Sequence, residues 1–221
     1  HDVQSFQLWM ITHDYGQNNG RADNPYKHLA IHLFHEVFDV TDLPSVYRSR
    51  VWGRENERLQ VILLDTQGTT GVHWSAPEIR AHLLFLRHYD GSQQMLGEDQ
   101  WLLFLQDQLQ IPADLRLVVS SIQVLNNGTG FEAWRHLPAE RQRLVDLLQS
   151  KNVLMFSGDR HVGGIYEFES LVEVTASSFT HTMPLGAFDN CTVDCDEVDA
   201  ARVSDLVRDN HFGYLENNWQ T

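Results

Sequence analysis

The sequence predicts an α/β fold built from layers of strands and helices. Three short apolar runs have the length and composition of buried strands: Leu59–Asp65, Leu115–Ser121 and Val153–Ser157. Each run ends in small or polar residues, as is expected where a strand leaves a sheet that is covered on both faces. Amphipathic segments lie between these runs, and this alternation of strand and helix patterns is typical of an α/β architecture.

The clearest helix pattern covers Glu98–Gln110, where Trp101, Leu105 and Leu109 recur at every fourth position and therefore share one face. Further segments with a helical pattern are Lys27–Phe38, Pro77–Tyr89 and Ala139–Ser150, the last of them directly after Pro138. Strand patterns return at Ile165–Thr175 and at His211–Trp219. No linker composition interrupts the chain, so we expect residues 1–221 to form one domain.

Composition and charge exclude some classes of protein. Of the 221 residues, 42% are hydrophobic and 21% are charged, which is ordinary for a folded domain. The formal net charge of −14 argues against a general nucleic-acid binder, which needs clustered cations to displace counterions. No apolar stretch approaches the ~20 residues of a membrane span. The chain opens with His1-Asp2-Val3-Gln4, which lacks the basic start and apolar run of a signal peptide.

Polar clusters follow each of the predicted buried strands, at Asp65–Gln67, Ser121–Gln123 and Gly158–His161. Sites in open α/β sheets lie at the carboxyl ends of the strands, so these clusters predict an active site at one edge of the sheet. A phosphate substrate is compatible with the acidic chain, because bound metal ions reverse the sign of the local field.

The motif Ser157-Gly158-Asp159-Arg160-His161 carries the most chemistry. We expect Gly158 to allow a tight turn after the strand. Asp159 and His161 are residue types that ligate metals, and Arg160 between them can bind a phosphate through its fork of donors. The alternative is an ordinary strand-to-loop turn with a surface ion pair.

Other clusters are less distinctive. His13 and Asp14, with Asn18 nearby, suit either a loop that holds polar side chains at a site or a plain turn. His28, His32 and His35 share a helix face, but the order H-x-x-H-E differs from the zinc-peptidase signature, so we expect a structural or solvent-facing role.

The acidic end of the chain and its cysteines allow several interpretations. A calcium loop around Asp194, Asp196, Glu197 and Asp199 lacks the ordered spacing of a hand-type loop, and a solvated acidic surface is the simpler interpretation. Cys191 and Cys195 can form a local disulfide or remain as two thiols. Asn126–Gly130 is too poor a match to a dinucleotide-binding loop and is predicted to be a flexible turn.

Taken together, the sequence blocks resemble the PhoD-like alkaline phosphatase family of metallophosphatases. The blocks that carry the resemblance follow one another along nearly the whole chain: His13–Gly16 with Asn18, Val46–Ser49, Leu59–Thr66, Leu96–Leu102, Ala113–Leu125, Phe131–Leu147, Phe156–His161, Leu171–Thr182 and Phe212–Trp219. The resemblance implies a calcineurin-like α/β/β/α sandwich, here without the N-terminal part of the family. It also implies hydrolysis of phosphate mono- or diesters, calcium and iron as metal ions, and a secreted or periplasmic setting.

By this resemblance, Asp159 and His161 are metal ligands, His13 is a general acid, and Asp14 orients that histidine. Arg160 and Asn18 are candidates for contacting the phosphate, and Gln123 is expected near the substrate.

Three departures from the family support a second hypothesis. Met10-Ile11-Thr12 stand where the family has Trp and two acids, and Gln67 replaces an Arg. The most important is that the family's N-terminal half, which carries further metal ligands, has no counterpart in this sequence. The alternative function is therefore a non-catalytic or truncated relative that acts as a binding or structural domain. The sequence leaves the oligomeric state open.

Overall fold

A computed structural model describes residues 24–37, 46–66, 94–129, 131–183 and 198–219. The helices in these ranges are α1 (Lys27–Val37), a π-helix (Asp99–Leu105) that continues as the short α2 (Gln106–Gln108), a 3₁₀ turn (Trp134–His136) and α3 (Pro138–Leu148). The strands are β1 (Arg48–Trp52), β2 (Leu59–Leu63), β3 (Leu115–Ser120), β4 (Val153–Ser157), β5 (Gly163–Phe168) and β6 (Leu171–Ala176). None of the helices in the described ranges is long and apolar enough to cross a membrane.

The six strands form one mixed sheet in the order β1-β2-β3-β4-β6-β5. Strands β2, β3, β4 and β6 are parallel to one another, while β1 and β5 are antiparallel strands at the two edges. Parallel pairing aligns the ends of the central strands, so Leu63, Val119 and Phe156 lie in one row across the sheet. The predicted polar clusters therefore meet at one edge, which we call the carboxyl edge. The α/β prediction is confirmed.

Helices cover one face of the sheet. The side chains of Ile62, Val118 and Met155 on this face pack in a single buried core with Trp101 and Leu144 from the helices. Burial of one such aliphatic side chain contributes about 1.5–3 kcal/mol, so this layer supplies much of the stability of the described part of the chain. On the opposite face Val61 and Val119 are buried. Other apolar side chains of that face are only half-buried: Leu117, Leu154, Phe156, Val172 and Val174.

Glu140 connects α3 to the helix that contains Trp101. Pro138 begins α3, which places Glu140 in the first turn. Its buried carboxyl group accepts hydrogen bonds from the backbone N–H of Met95 (2.6 Å) and Leu96 (3.1 Å) and from the indole N–H of Trp101 (2.8 Å). These bonds fix the approach of the helix to the sheet, because three buried donors share one acceptor group.

Several predicted elements differ from the structure. The segment Glu98–Gln110 buries Trp101, Leu105 and Leu109 as expected, but most of it is a π-helix and not an α-helix. The predicted strand Ile165–Thr175 is a hairpin of β5 and β6. The predicted strand at His211–Trp219 is wrong, since these residues have no regular structure. The predicted helix Pro77–Tyr89 lies outside the described residues.

The C-terminal residues 201–211 instead form a strap along β5. Backbone hydrogen bonds join Gly163 and Val207 in both directions, at 2.8 and 2.9 Å, and a further bond runs from the N–H of Val203 to the carbonyl of Ile165 (2.9 Å). The strap ends near the carboxyl edge, where the N–H of His211 donates to the carbonyl of Ser178 (3.0 Å). It satisfies backbone groups of an otherwise open sheet edge.

Candidate functional site

Buried hydroxyl and amide groups join the strand ends along the carboxyl edge. The hydroxyls of Thr66 and Ser121 form a hydrogen bond between the ends of β2 and β3. The amide nitrogen of Gln123 donates to the Thr175 hydroxyl at 2.9 Å, and the Thr175 and Ser157 oxygens are 2.8 Å apart. The loops after β2 and β3 and the ends of β4 and β6 are thereby held together at the position where the sequence predicts a site.

Glu173 joins this chain of hydrogen bonds to the loop after β3. Its carboxyl group forms a hydrogen bond with Ser157, whose hydroxyl group also bonds to that of Thr175. The same carboxyl group accepts from the backbone N–H of Val124 (2.9 Å) and of Leu125 (2.6 Å). Glu173 therefore positions both the loop after β3 and the end of β4.

Burial raises the pKa of Glu173 above its usual range, because the ionised form loses its water. The hydrogen bonds from Ser157, Leu125 and Val124, and the nearby positive charge of Arg141, act in the opposite direction and offset part of that effect. Arg141 also donates to the carbonyl groups of Val124 and Leu125, so the loop is held from both sides.

Gln123 lies in the centre of this network and is fully buried. The bond to Thr175 uses its amide nitrogen, and its side-chain oxygen has no hydrogen-bond partner among the described residues. A buried acceptor of this kind is uncommon in folded proteins. The proposed contact of Gln123 with a substrate stays a prediction.

The turn after β4 has an unusual backbone. Asp159 (φ 67°) and His161 (φ 55°) are both in the left-handed region, whereas Gly158 is not. The expectation that Gly158 supplies the conformational freedom of this turn is therefore wrong. Left-handed non-glycine residues are uncommon and are found disproportionately at functional sites, where surrounding contacts hold them.

Contacts with the loop after β6 hold this turn. The N–H of His161 donates to the Ser177 hydroxyl (2.8 Å), and the N–H of Met183 donates to the carbonyl of His161 (2.9 Å). The imidazole of His161 is exposed, and its ring centroid lies 6.2 Å from that of His181. Asp159, two positions before, is partly buried. The sequence did not indicate His181, because only the pairing of β4 with β6 brings it to this edge.

Arg160 points into the protein. Only 1% of the residue is exposed, and its guanidinium carbon lies 4.4 Å from the ring centroid of Phe131, a cation–π distance. Its backbone N–H donates to the carbonyl of Gly158 (2.9 Å) and tightens the turn. This placement gives Arg160 a packing role in the described structure, and its contact with a phosphate stays a prediction.

The residues of the carboxyl edge fit a metal ion in kind but do not complete its coordination. Asp159 offers carboxylate oxygens and His161 offers an imidazole nitrogen, which are donors that calcium and iron respectively accept. Within the described ranges, however, no group of three or more His, Cys, Asp or Glu side chains is arranged to hold a metal. The other predicted site residues, His13, Asp14 and Asn18, lie outside the described residues.

The structure also describes part of the other residue clusters that the sequence analysis singled out. His28 and His32 are exposed on α1 and His35 is partly buried, as expected for solvent-facing histidines. Asp199 accepts hydrogen bonds from the N–H groups of Asn127 and Gly128 and so anchors a turn that was expected to be flexible. Asp194, Asp196, Glu197, Cys191 and Cys195 lie outside the described residues.

Comparison with known proteins gives a likeness of fold. No family model matches the chain, and no curated protein sequence matches it. Among solved structures, PhoD aligns with a TM-score of 0.50 and 18% identity, covering 75% of this chain and 38% of PhoD. GAP50, the anchor in the inner membrane complex of Plasmodium, aligns with a TM-score of 0.48 and 16% identity, covering 77% of this chain and 46% of that chain. A putative 5′-nucleotidase from Staphylococcus aureus aligns with a TM-score of 0.35 and 11% identity, covering 80% of this chain and 32% of that chain.

The chain thus spans about two fifths of the length of PhoD. At 18% identity the likeness concerns the fold, and it agrees with the six-stranded mixed sheet and its helical layer. The chain has a mixed α/β fold with one six-stranded sheet in its described ranges, which is consistent with the calcineurin-like α/β fold that the resemblance implies.

Proposed function

We propose that this chain supplies the carboxyl-edge part of a site that hydrolyses phosphate mono- or diesters with the help of metal ions. The observation that carries the proposal is the turn Asp159–His161. It presents an acid and an imidazole from left-handed backbone positions at the edge where the parallel strands end. In α/β folds this edge is where ligands bind, and the likeness of fold to PhoD supports a phosphoesterase-type site there.

In this proposal Asp159 and His161 hold the metal, and His13 donates a proton to the leaving oxygen, as a general acid does. Asp14 orients His13, while Asn18 and Gln123 contact the phosphate. Arg160 contributes positive charge from below the turn. A metal at this position supplies a water of lowered pKa and neutralises phosphate oxygens.

The metal identities in the proposal come from the resemblance to the PhoD-like family, and the donor chemistry is compatible with them. Calcium takes six to eight oxygen ligands and is matched by Asp159, whereas an imidazole such as that of His161 suits iron and other transition metals. Calcium and iron are therefore both compatible with the turn.

A non-catalytic binding or structural domain is the second candidate. It is favoured by the lack of a metal-holding group of three among the described residues and by Ile11 and Thr12 at positions where the resemblance expects acids. In that case the hydrogen-bond network of the carboxyl edge stabilises the sheet, and the domain hydrolyses no phosphoester.

Hydrolysis of chromogenic phosphate monoesters and diesters, combined with metal analysis, separates the two candidates. The hydrolase proposal expects bound metal and turnover that His161→Ala abolishes. His28→Ala, an exposed histidine on α1, serves as a matched control and should leave turnover unchanged. A folded, metal-free and inert wild-type chain would establish the second candidate instead.

A further inference from the structure

We infer that His181 is an additional metal-ligating residue of the carboxyl edge, and that the pair His161–His181 binds a first-row transition-metal cation in preference to calcium. The inference deepens the proposed function and rests on it for the location of the site. His181 carries no role in the sequence pattern, and its place beside His161 is a result of the fold.

The two imidazoles are close enough to share one ion. Their ring centroids lie 6.2 Å apart, and the planes are inclined by 38°. With metal–nitrogen bonds of about 2.1 Å, one ion between two imidazoles holds the ring centroids roughly 5–6 Å apart. A small side-chain rotation is therefore sufficient, and both histidines are exposed.

The backbone holds the two histidines in this arrangement. Ser157 at the end of β4 pairs with Thr175 near the end of β6, so the loops after these strands leave the sheet side by side. The bonds from His161 N–H to Ser177 and from Met183 N–H to the His161 carbonyl then join the loops on both sides of the pair. Preorganisation of this kind reduces the cost of bringing two ligands together.

Thr180 orients the ring of His181. The Thr180 hydroxyl oxygen is 2.8 Å from Nδ1 of His181. When Nδ1–H donates to this hydroxyl, Nε2 carries a free lone pair, which is the tautomer that a metal requires. Ligating histidines commonly have such a partner on the other ring nitrogen, and its loss weakens metal binding by about 10–100-fold.

Imidazole nitrogen sets the preference among metals. Zn²⁺, Co²⁺, Ni²⁺ and Fe²⁺ accept imidazole, whereas calcium takes oxygen donors. The pair supplies two ligands, and water or phosphate oxygens can fill the other positions, as in metal sites that keep positions open for a substrate.

The test is a calorimetric titration of the chelator-treated protein with Co²⁺ alone, repeated with Ca²⁺. We expect His181→Ala and His161→Ala each to weaken Co²⁺ binding at least tenfold, on the order of the loss known for groups around a metal. Thr180→Val should weaken it by about tenfold, at the lower end of that range, and His28→Ala should leave it unchanged. Calcium binding should not respond to His181→Ala. Circular dichroism verifies that each variant is folded.

Equal Co²⁺ affinity in the wild type and in His181→Ala, or no Co²⁺ binding by the wild type, would overturn the inference. The outcome is separate from that of the proposed function. Binding of Co²⁺ that depends on His181 in a protein without phosphoesterase turnover would refute only the hydrolase. Turnover that persists with His181-independent metal binding would refute only the role of His181.

Discussion

Glu173 offers a sharp test of how the carboxyl edge is held together. Replacing it by alanine leaves the buried N–H groups of Val124 and Leu125 without their acceptor and removes one of the two hydrogen bonds of the Ser157 hydroxyl. A buried donor without a partner costs about 1–3 kcal/mol. The substitution also removes the desolvation cost of the buried carboxyl group, which offsets part of that loss. We therefore expect Glu173→Ala to lower the free energy of unfolding by about 3–5 kcal/mol.

Urea denaturation followed by tryptophan fluorescence measures this change. The matched control is Glu167→Ala, an exposed glutamate on the neighbouring strand β5, which should alter stability by no more than about 0.5 kcal/mol. A loss below about 1 kcal/mol for Glu173→Ala would refute the reasoning, because two buried N–H groups cannot both lose their acceptor at so small a cost.

Two further predictions concern the same edge and the strap. Because burial raises the pKa of Glu173, the native chain keeps this proton to higher pH than the unfolded chain, and the associated stability is lost as pH rises above the ordinary value of 4.5. The stability advantage of the wild type over Glu173→Gln should therefore shrink from pH 4 towards neutrality in urea titrations. Gly163→Ala should destabilise the protein by about 1–3 kcal/mol, because an added Cβ would lie 2.6 Å from Nε2 of His211.

For each of these two predictions, a specific result would contradict it. The stability advantage of the wild type over Glu173→Gln could instead stay level or grow with pH. That result would show that burial does not raise the pKa of the Glu173 carboxyl group. For the strap, His211→Ala removes the obstructing ring, so Gly163→Ala should cost less in that background. Equal costs in both backgrounds would exclude a clash between the two residues.

The central strands were predictable because each is a short apolar run with a polar end. Val153–Ser157 was predicted with its observed bounds, and the other two runs were predicted one or two residues too long. The β5–β6 hairpin could not be predicted from the sequence, because its turn contains no glycine, proline or asparagine. Glu169 takes the left-handed position there, at φ 55°, so the usual turn signal is missing.

The remaining errors have related causes. A π-helix keeps its apolar side chains at spacings close to those of an α-helix, so Asp99–Leu105 could not be distinguished by pattern. The alternation at His211–Trp219 resembles a strand, but only the tertiary fold decides whether a strand partner is present.

The candidate site was predicted in part. The cluster after β4 could be located from sequence, because a metal-type acid and imidazole follow a buried strand. His181 and Glu173 could not, since their roles depend on the pairing of β4 with β6 and on burial. Spacing along the chain carries no information about either.

The most direct test of the metal-binding account is anomalous X-ray diffraction at the cobalt edge from crystals of the protein soaked in Co²⁺. The account predicts an anomalous peak at bonding distance, about 2.1 Å, from a ring nitrogen of His161 at the carboxyl edge. A well-ordered carboxyl edge without such a peak, with cobalt only elsewhere on the surface, would contradict it.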